Sequence, residues 1–161
     1  MTDAQLYGGI AAMGAVAGMR SMSAPAMLGK VAKAGLLPAK NSRFNFLNSP
    51  KIAYPLLAVA AGELVLDKLP FTPPRTKLPS LLGRAITGGF TGAAIGASKK
   101  RSAVIGALIG AGAAVGASYA AYHLRRKASQ KLPGTVVGLL EDAVAAGAGM
   151  VVLSKLRTAK A

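Results

Sequence analysis

From Ser102 to Leu124 the chain reads SAVIGALIGAGAAVGASYAAYHL, a run without Asp, Glu, Lys or Arg. It is closed by Lys99-Lys100-Arg101 on one side and Arg125-Arg126-Lys127 on the other. A helix rises about 1.5 Å per residue, so a run of this length slightly exceeds a hydrocarbon core about 30 Å thick. The sequence therefore predicts a membrane span bracketed by charge. Inside it Gly106 and Gly110 stand four residues apart, and Gly112 and Gly116 repeat that step. Small residues at this spacing form a ridge on which the backbone of another helix can settle closely. That helix must come from this chain or from a second copy.

Composition fits such a bundle once glycine is given its membrane role. The 161 residues are 52% hydrophobic and 16% charged, yet mean hydropathy is only +0.43, because glycine and alanine take the place of larger apolar residues. A soluble core-rich domain would instead hold many of its 20 glycines in helices, each at a loss of about 1 kcal/mol relative to alanine. In lipid, glycine is a packing residue. The net charge of +15 comes from 20 basic residues that fall mainly between the apolar runs, not along one helix or among stacking aromatics. Anionic lipid headgroups, and not nucleic acid, are the expected partner. The absence of cysteine removes disulfides, thiolate chemistry and Cys-ligated metals, and a single histidine provides no cluster. No metal or cofactor is expected.

In chain order, Met1 to Gln5 carries Asp3 and no basic residue, so it lacks the positive region of a cleavable signal and the first span is expected to be retained. That span covers approximately residues 4–24, with Gly14 and Gly18 four apart, and Pro25 is expected to kink or end it near Ser23 or Ala24. Arg20 then lies at its deep end beside a break, where snorkelling to the interface is the simplest role. Lys30 to Lys51 reads as a basic loop with a short amphipathic turn near Val31 to Leu37. Phe44, Phe46 and Tyr54 fit a headgroup-level aromatic belt. A second span, 52–69, takes Pro55 into its first turn and stops at Pro70, with Glu63 and Asp67 one helical turn apart on one face.

Phe71 to Pro79 is a stiff, proline-rich connector. The third span, 80–98, has Arg84 one turn in, the glycine ridge Gly88, Gly92 and Gly96, and Phe90 as a deep packing aromatic. The fourth is the opening stretch, 102–124, with Tyr119, Tyr122 and His123 as a belt near its end. The fifth, 134–154, places Glu141 and Asp142 near the middle of a run otherwise free of charge from Leu132 to Ser154. Asp142 shares a helical stripe with Gly134, Gly138 and Gly149, and Glu141 is displaced by about 100°. The fold class is thus all-α: a polytopic membrane bundle of about five glycine-rich helices, some short or kinked, in one domain over residues 1–161.

The segments GMRSMSAPAML, GELVLDKLPFTPPR, GRAITGGFTGAAIG and LLEDA resemble a bacterial family of small multi-span membrane proteins known as domain of unknown function 4126. The central acidic-proline segment is the most specific part of the resemblance. It implies that Arg20, Glu63, Asp67, Lys68, Pro70, Arg75, Arg84, Glu141 and Asp142 belong to the family's recognisable pattern. No activity is established for the family, so the resemblance carries no catalytic role.

Arg20 and Arg84 nearly balance Glu63, Glu141 and Asp142, and opposite charges in a low dielectric offset much of each other's desolvation. At least one arginine is expected within ion-pairing reach of a carboxylate. Two functions follow. In one, the charges form a network that fixes helix packing or a homo-oligomer. In the other, they line a polar pathway through a small channel or transporter for a cation, a proton or a small solute, with breaks at Pro25, Pro55 and Pro70. Asp142 would then matter most and Glu63 second, whereas an arginine in contact would make Asp142 structural. The sequence has no nucleophile–base set, metal cluster or phosphate loop, so no enzyme is expected. With five spans, an outside N-terminus puts 12 basic residues on the cytoplasmic face against 8 opposite, which favours N-out, C-in in a bacterial inner membrane. So even a split also allows dual insertion and an antiparallel dimer.

Overall fold

The computed structural model describes residues 2–33, 43–66, 78–130 and 132–158. Among them are six α-helices and one short 3-10 helix: α1 (Asp3–Met19), α2 (Ser23–Lys33), the 3-10 turn (Asn45–Asn48), α3 (Pro50–Leu66), α4 (Leu78–Ser98), α5 (Ala103–Ala128) and α6 (Gly134–Thr158). The start of α1 is written locally. The Thr2 hydroxyl accepts from the Gln5 N–H at 3.3 Å and the Gln5 side chain accepts from the Thr2 N–H at 3.0 Å, a reciprocal cap. Asp3 in the first turn suits the positive end of the helix and meets Arg101 at 2.5 Å.

Several boundaries differ from the sequence reading. The first apolar run is two helices, and the break lies at residues 20–22, upstream of Ser23. In a continuous helix the ring of Pro25 would strike the carbonyl of Ser21, four residues back, so the chain leaves helical geometry just there; Pro25 itself sits in the first turn of α2, where no N–H is needed. Helix α2 then runs to Lys33 through the expected loop, and the remainder of the amphipathic turn lies outside the described residues. Helix α3 begins at Pro50, which puts Pro55 in its second turn. At the other end α5 continues to Ala128, so Arg125, Arg126 and Lys127 are its last turn, the favourable end for cations.

Phe46 is exposed, as a belt residue would be, and Phe44 is half-buried. The 3-10 turn folds them back onto α4, with ring centres 5.7 Å and 6.2 Å from Phe90, which places ring area against ring area. Tyr54 is held differently, under the Lys33 ammonium at 3.9 Å.

Helices α1, α4 and α5 pack most extensively, around Leu6, Ile10, Met13, Val16 and Ile95. Their contact is backbone on backbone. A Cβ on Gly92 would run into the Gly106 carbonyl, one on Gly110 into the Gly88 carbonyl, and one on Gly14 would lie 2.9 Å from the Cα of Gly110. A Cβ on Gly96 would be 3.0 Å from the Ser102 carbonyl. Gly112 and Gly116, also expected to pack against a neighbouring helix, face open space instead. At about 100° per residue, Gly112 is turned some 240° from Gly106, so one helix cannot present both pairs to one neighbour.

Two helices, α5 and the Gly134–Lys155 part of α6, are long and apolar enough to cross a membrane, and 22% of each apolar window is buried. A soluble core helix would be mostly buried. Here Val104, Leu108, Leu139, Val144 and Met150 point outward, an apolar surface of the kind that marks contact with lipid or protein. Among the described residues there are two helices of that quality, not five. Helix α1 stops after 17 residues at its break, 17 residues of α3 are described, and the hydropathy of α4 is diluted by Arg84, Thr87, Thr91 and its glycines.

Gly92→Leu is expected to destabilise the bundle by more than about 3 kcal/mol, the upper end of ordinary overpacking, because the obstacle is backbone; Gly112→Leu is expected to be tolerated. Thermal unfolding in detergent separates the two. Helix α4 ends with the Arg101 N–H on the Gly96 carbonyl at 2.9 Å and the Lys100 N–H on the Ala97 carbonyl at 3.1 Å, with Lys100 at φ 56°. Glycine normally takes that left-handed position, so Lys100→Gly should stabilise by about 1 kcal/mol in the same measurement.

Candidate functional site

The break between α1 and α2 leaves helix-end groups without intrahelical partners, and the charged residues converge on them. Arg84, 2% exposed in the first part of α4, donates through Nη1 to the Met19 carbonyl at 2.9 Å and to the Gly18 carbonyl. The Ser118 hydroxyl of α5 also donates to the Gly18 carbonyl, at 3.0 Å. A guanidinium thus sits at the negative end of α1. On the far side of the break the Glu63 carboxylate of α3 accepts from the Ser21 N–H at 2.9 Å, the Ser21 hydroxyl at 2.8 Å and the Met22 N–H at 2.9 Å. An anion thus caps the positive end of α2.

Arg20 lies between these two caps. It is the extended residue that closes α1, and its own N–H still bonds the Val16 carbonyl at 2.8 Å. Its side chain crosses to α6, where Nε donates to Asp142 Oδ1 at 2.6 Å and Nη2 donates to the same oxygen. The two side chains are 6% and 18% exposed. Arg20 is therefore an interior ion-pair partner and does not snorkel. Helix α6 packs beside it, with Gly149 against Met27 and Val16.

Arg20, Glu63, Arg84 and Asp142 therefore meet at one place. Glu141, about 100° around α6 from Asp142, turns to the other side and lies 3.8 Å from Arg125. Asp67, Lys68, Pro70 and Arg75 lie outside the described residues. Sequence reading missed Ser21, Ser118 and Arg125 as participants. Ser118 was findable, since Gly106, Gly110, Ala114 and Ser118 advance by the same four residues and all are buried on one ridge. Arg125 had been read only as a span marker. Among the described residues no group of three or more His, Asp or Glu is placed to hold a metal.

Over residues 8–155 the chain matches the protein-family profile described as "Domain of unknown function (DUF4126)". The chain belongs to this family. Its description names no activity, so the chemistry of the site must carry the functional reading. No curated protein and no solved structure matches the chain.

Breaking a buried ion pair strands one charge, at a cost of about 3–5 kcal/mol. Arg20→Gln and Asp142→Asn should each lose stability in that range, whereas Arg20→Met combined with Asp142→Leu should recover much of the loss. Unfolding in detergent of Arg20→Met, Asp142→Leu and the two combined, each against wild type, forms a double-mutant cycle. A combined loss equal to the sum of the single losses would mean that the two residues are not coupled.

Proposed function

We propose that the protein is a non-catalytic integral membrane bundle whose buried charges lock a broken helix and thereby fix the packing of helices that carry few large side chains. The carrying observation is that Arg20, Arg84, Glu63 and Asp142 each end on an opposite charge or on a backbone group at the break. In this reading α1 with α2, α3, α4, α5 and α6 make five passes of the bacterial inner membrane, with the N-terminus outside. Support for the membrane comes from the outward apolar faces of α5 and α6. The order of basic residues supports the orientation. A group anchored at both helix ends and across to α6 would serve as a rigid interaction scaffold.

One observation favours a second reading, in which the same centre passes a cation, a proton or a small solute. Discontinuous helices in membranes place their ends at ion and substrate sites, and the break here coincides with Asp142. The contact with Arg20 argues for the structural role, because Asp142 is already committed to a salt bridge.

One set of experiments separates the readings. Wild type and Asp142→Asn are reconstituted in liposomes, and proton and cation flux is followed alongside thermal stability. The structural reading expects no flux from the wild type and lost stability in the variant. Wild-type flux that Asp142→Asn abolishes while stability is retained would establish the pathway instead. Release of the protein by carbonate extraction would remove both.

A further inference from the structure

Beside the polar centre, between the C-terminal half of α5 and the N-terminal half of α6, lies a groove of about 340 Å³. Its α5 wall carries Ala117, Ala121 and Ala128, its α6 wall Leu140 and Val144, and Met19 of α1 forms its inner end. Consecutive along the chain, α5 and α6 nevertheless touch less than any other contacting pair of elements among the described residues. Ala117 and Ala128 are about three helical turns apart, so the groove runs about 16 Å along the helices. That is long and narrow, and its volume falls in the range of about 300–1,000 Å³ typical of small-molecule sites.

The outer end differs in chemistry. Arg125 lies on the wall there, and Arg126 and Lys127, both exposed, complete the last turn of α5. Arg125 is 38% exposed and 3.8 Å from Glu141, near the distance limit of about 4 Å for an ion pair, so it can swing outward to another anion. Glu141 repels a negative group from the interior and holds it at the mouth.

We infer that the groove takes one acyl chain of an anionic phospholipid, with its phosphate on Arg125. The inference rests on the membrane reading above. An apolar channel ending in the Arg125 cation matches a ligand with a long apolar tail and an anionic head. A free phosphate has no use for the channel.

The test uses the full chain in mild detergent, with native mass spectrometry against phosphatidylglycerol and phosphatidylcholine at equal concentration. Wild type should retain one phosphatidylglycerol per chain in preference to phosphatidylcholine. Arg125→Gln should lower phosphatidylglycerol retention about fivefold, the expected effect of one interfacial charge, and leave phosphatidylcholine unchanged. Ala120→Phe, which fills the groove from an exposed position on its wall, should remove both lipids, whereas Leu108→Phe on the outward face should remove neither. If Ala120→Phe fails to fold by circular dichroism, the headgroup selectivity of Arg125→Gln still decides. Equal retention of the two lipids, retention indifferent to Arg125→Gln, or a chain dimer that Ala120→Phe dissociates would overturn the inference. Carbonate extraction distinguishes its failure from that of the membrane reading: a protein that stays in the membrane without lipid selectivity fails this inference alone.

Discussion

Backbone polar groups in a low dielectric must find partners, and an interrupted helix exposes two sets of them at once. Each buried, unsatisfied group would cost free energy comparable to a lost hydrogen bond or more. At residues 20–22 the chain meets this cost with charge: Arg84 on the carbonyls that end α1, Glu63 on the N–H groups that begin α2. Each cap has the sign that the helix end favours. The elements that supply these caps are far apart in sequence, so closing the break also fixes α3 and α4 relative to α1.

The caps reach the break only because the helices lie unusually close. Gly18 has no room for a Cβ beside the Ala114 carbonyl, and its own carbonyl is the one that Ser118 and Arg84 contact. Were the helices held apart by larger residues, Ser118, whose side chain ends one atom beyond Cβ, could not bridge the gap. The glycine contacts and the polar centre are thus one device. Close packing brings the donors in, and the donors satisfy the backbone that the close packing would otherwise leave buried and bare.

Much of this was legible in the sequence, and the exceptions have physical reasons. The apolar periods and charge brackets located the helices, and the balance of Arg20 and Arg84 against three carboxylates pointed to an ion pair. What the sequence could not assign was direction around a helix axis. Gly106, Gly110, Gly112 and Gly116 look alike as letters, yet two are buried against α4 and α1 and two face outward. Pro25 announced a break but not its place, since the steric conflict is with the carbonyl four residues earlier. Charge counting put at least one arginine on a carboxylate, which Arg20 meets at Asp142, but it did not show that Arg84 caps backbone carbonyls. A formal charge balance cannot see the partial charges of helix ends. The contact of Phe44 and Phe46 with Phe90 is tertiary, so the sequence did not show it.

The bundle is held unevenly, and α6 is where the difference lies. Helices α1, α4 and α5 touch through backbone along much of their length, whereas α6 is fastened by Gly149 on the side chains of Met27 and Val16, by the buried Ala145 and Leu153, and by the Arg20–Asp142 pair. Opposite α5 it leaves the groove that Glu141 and Arg125 border. Glu141 and Asp142 are successive residues on one helix, so a rotation of α6 that draws Glu141 toward α5 must carry Asp142 away from Arg20. Met19 links the same two places from the other side, since its side chain lines the groove while its carbonyl accepts from Arg84. The break and the groove therefore share helix α6 and Met19, and the position of α6 that fills one sets the geometry of the other.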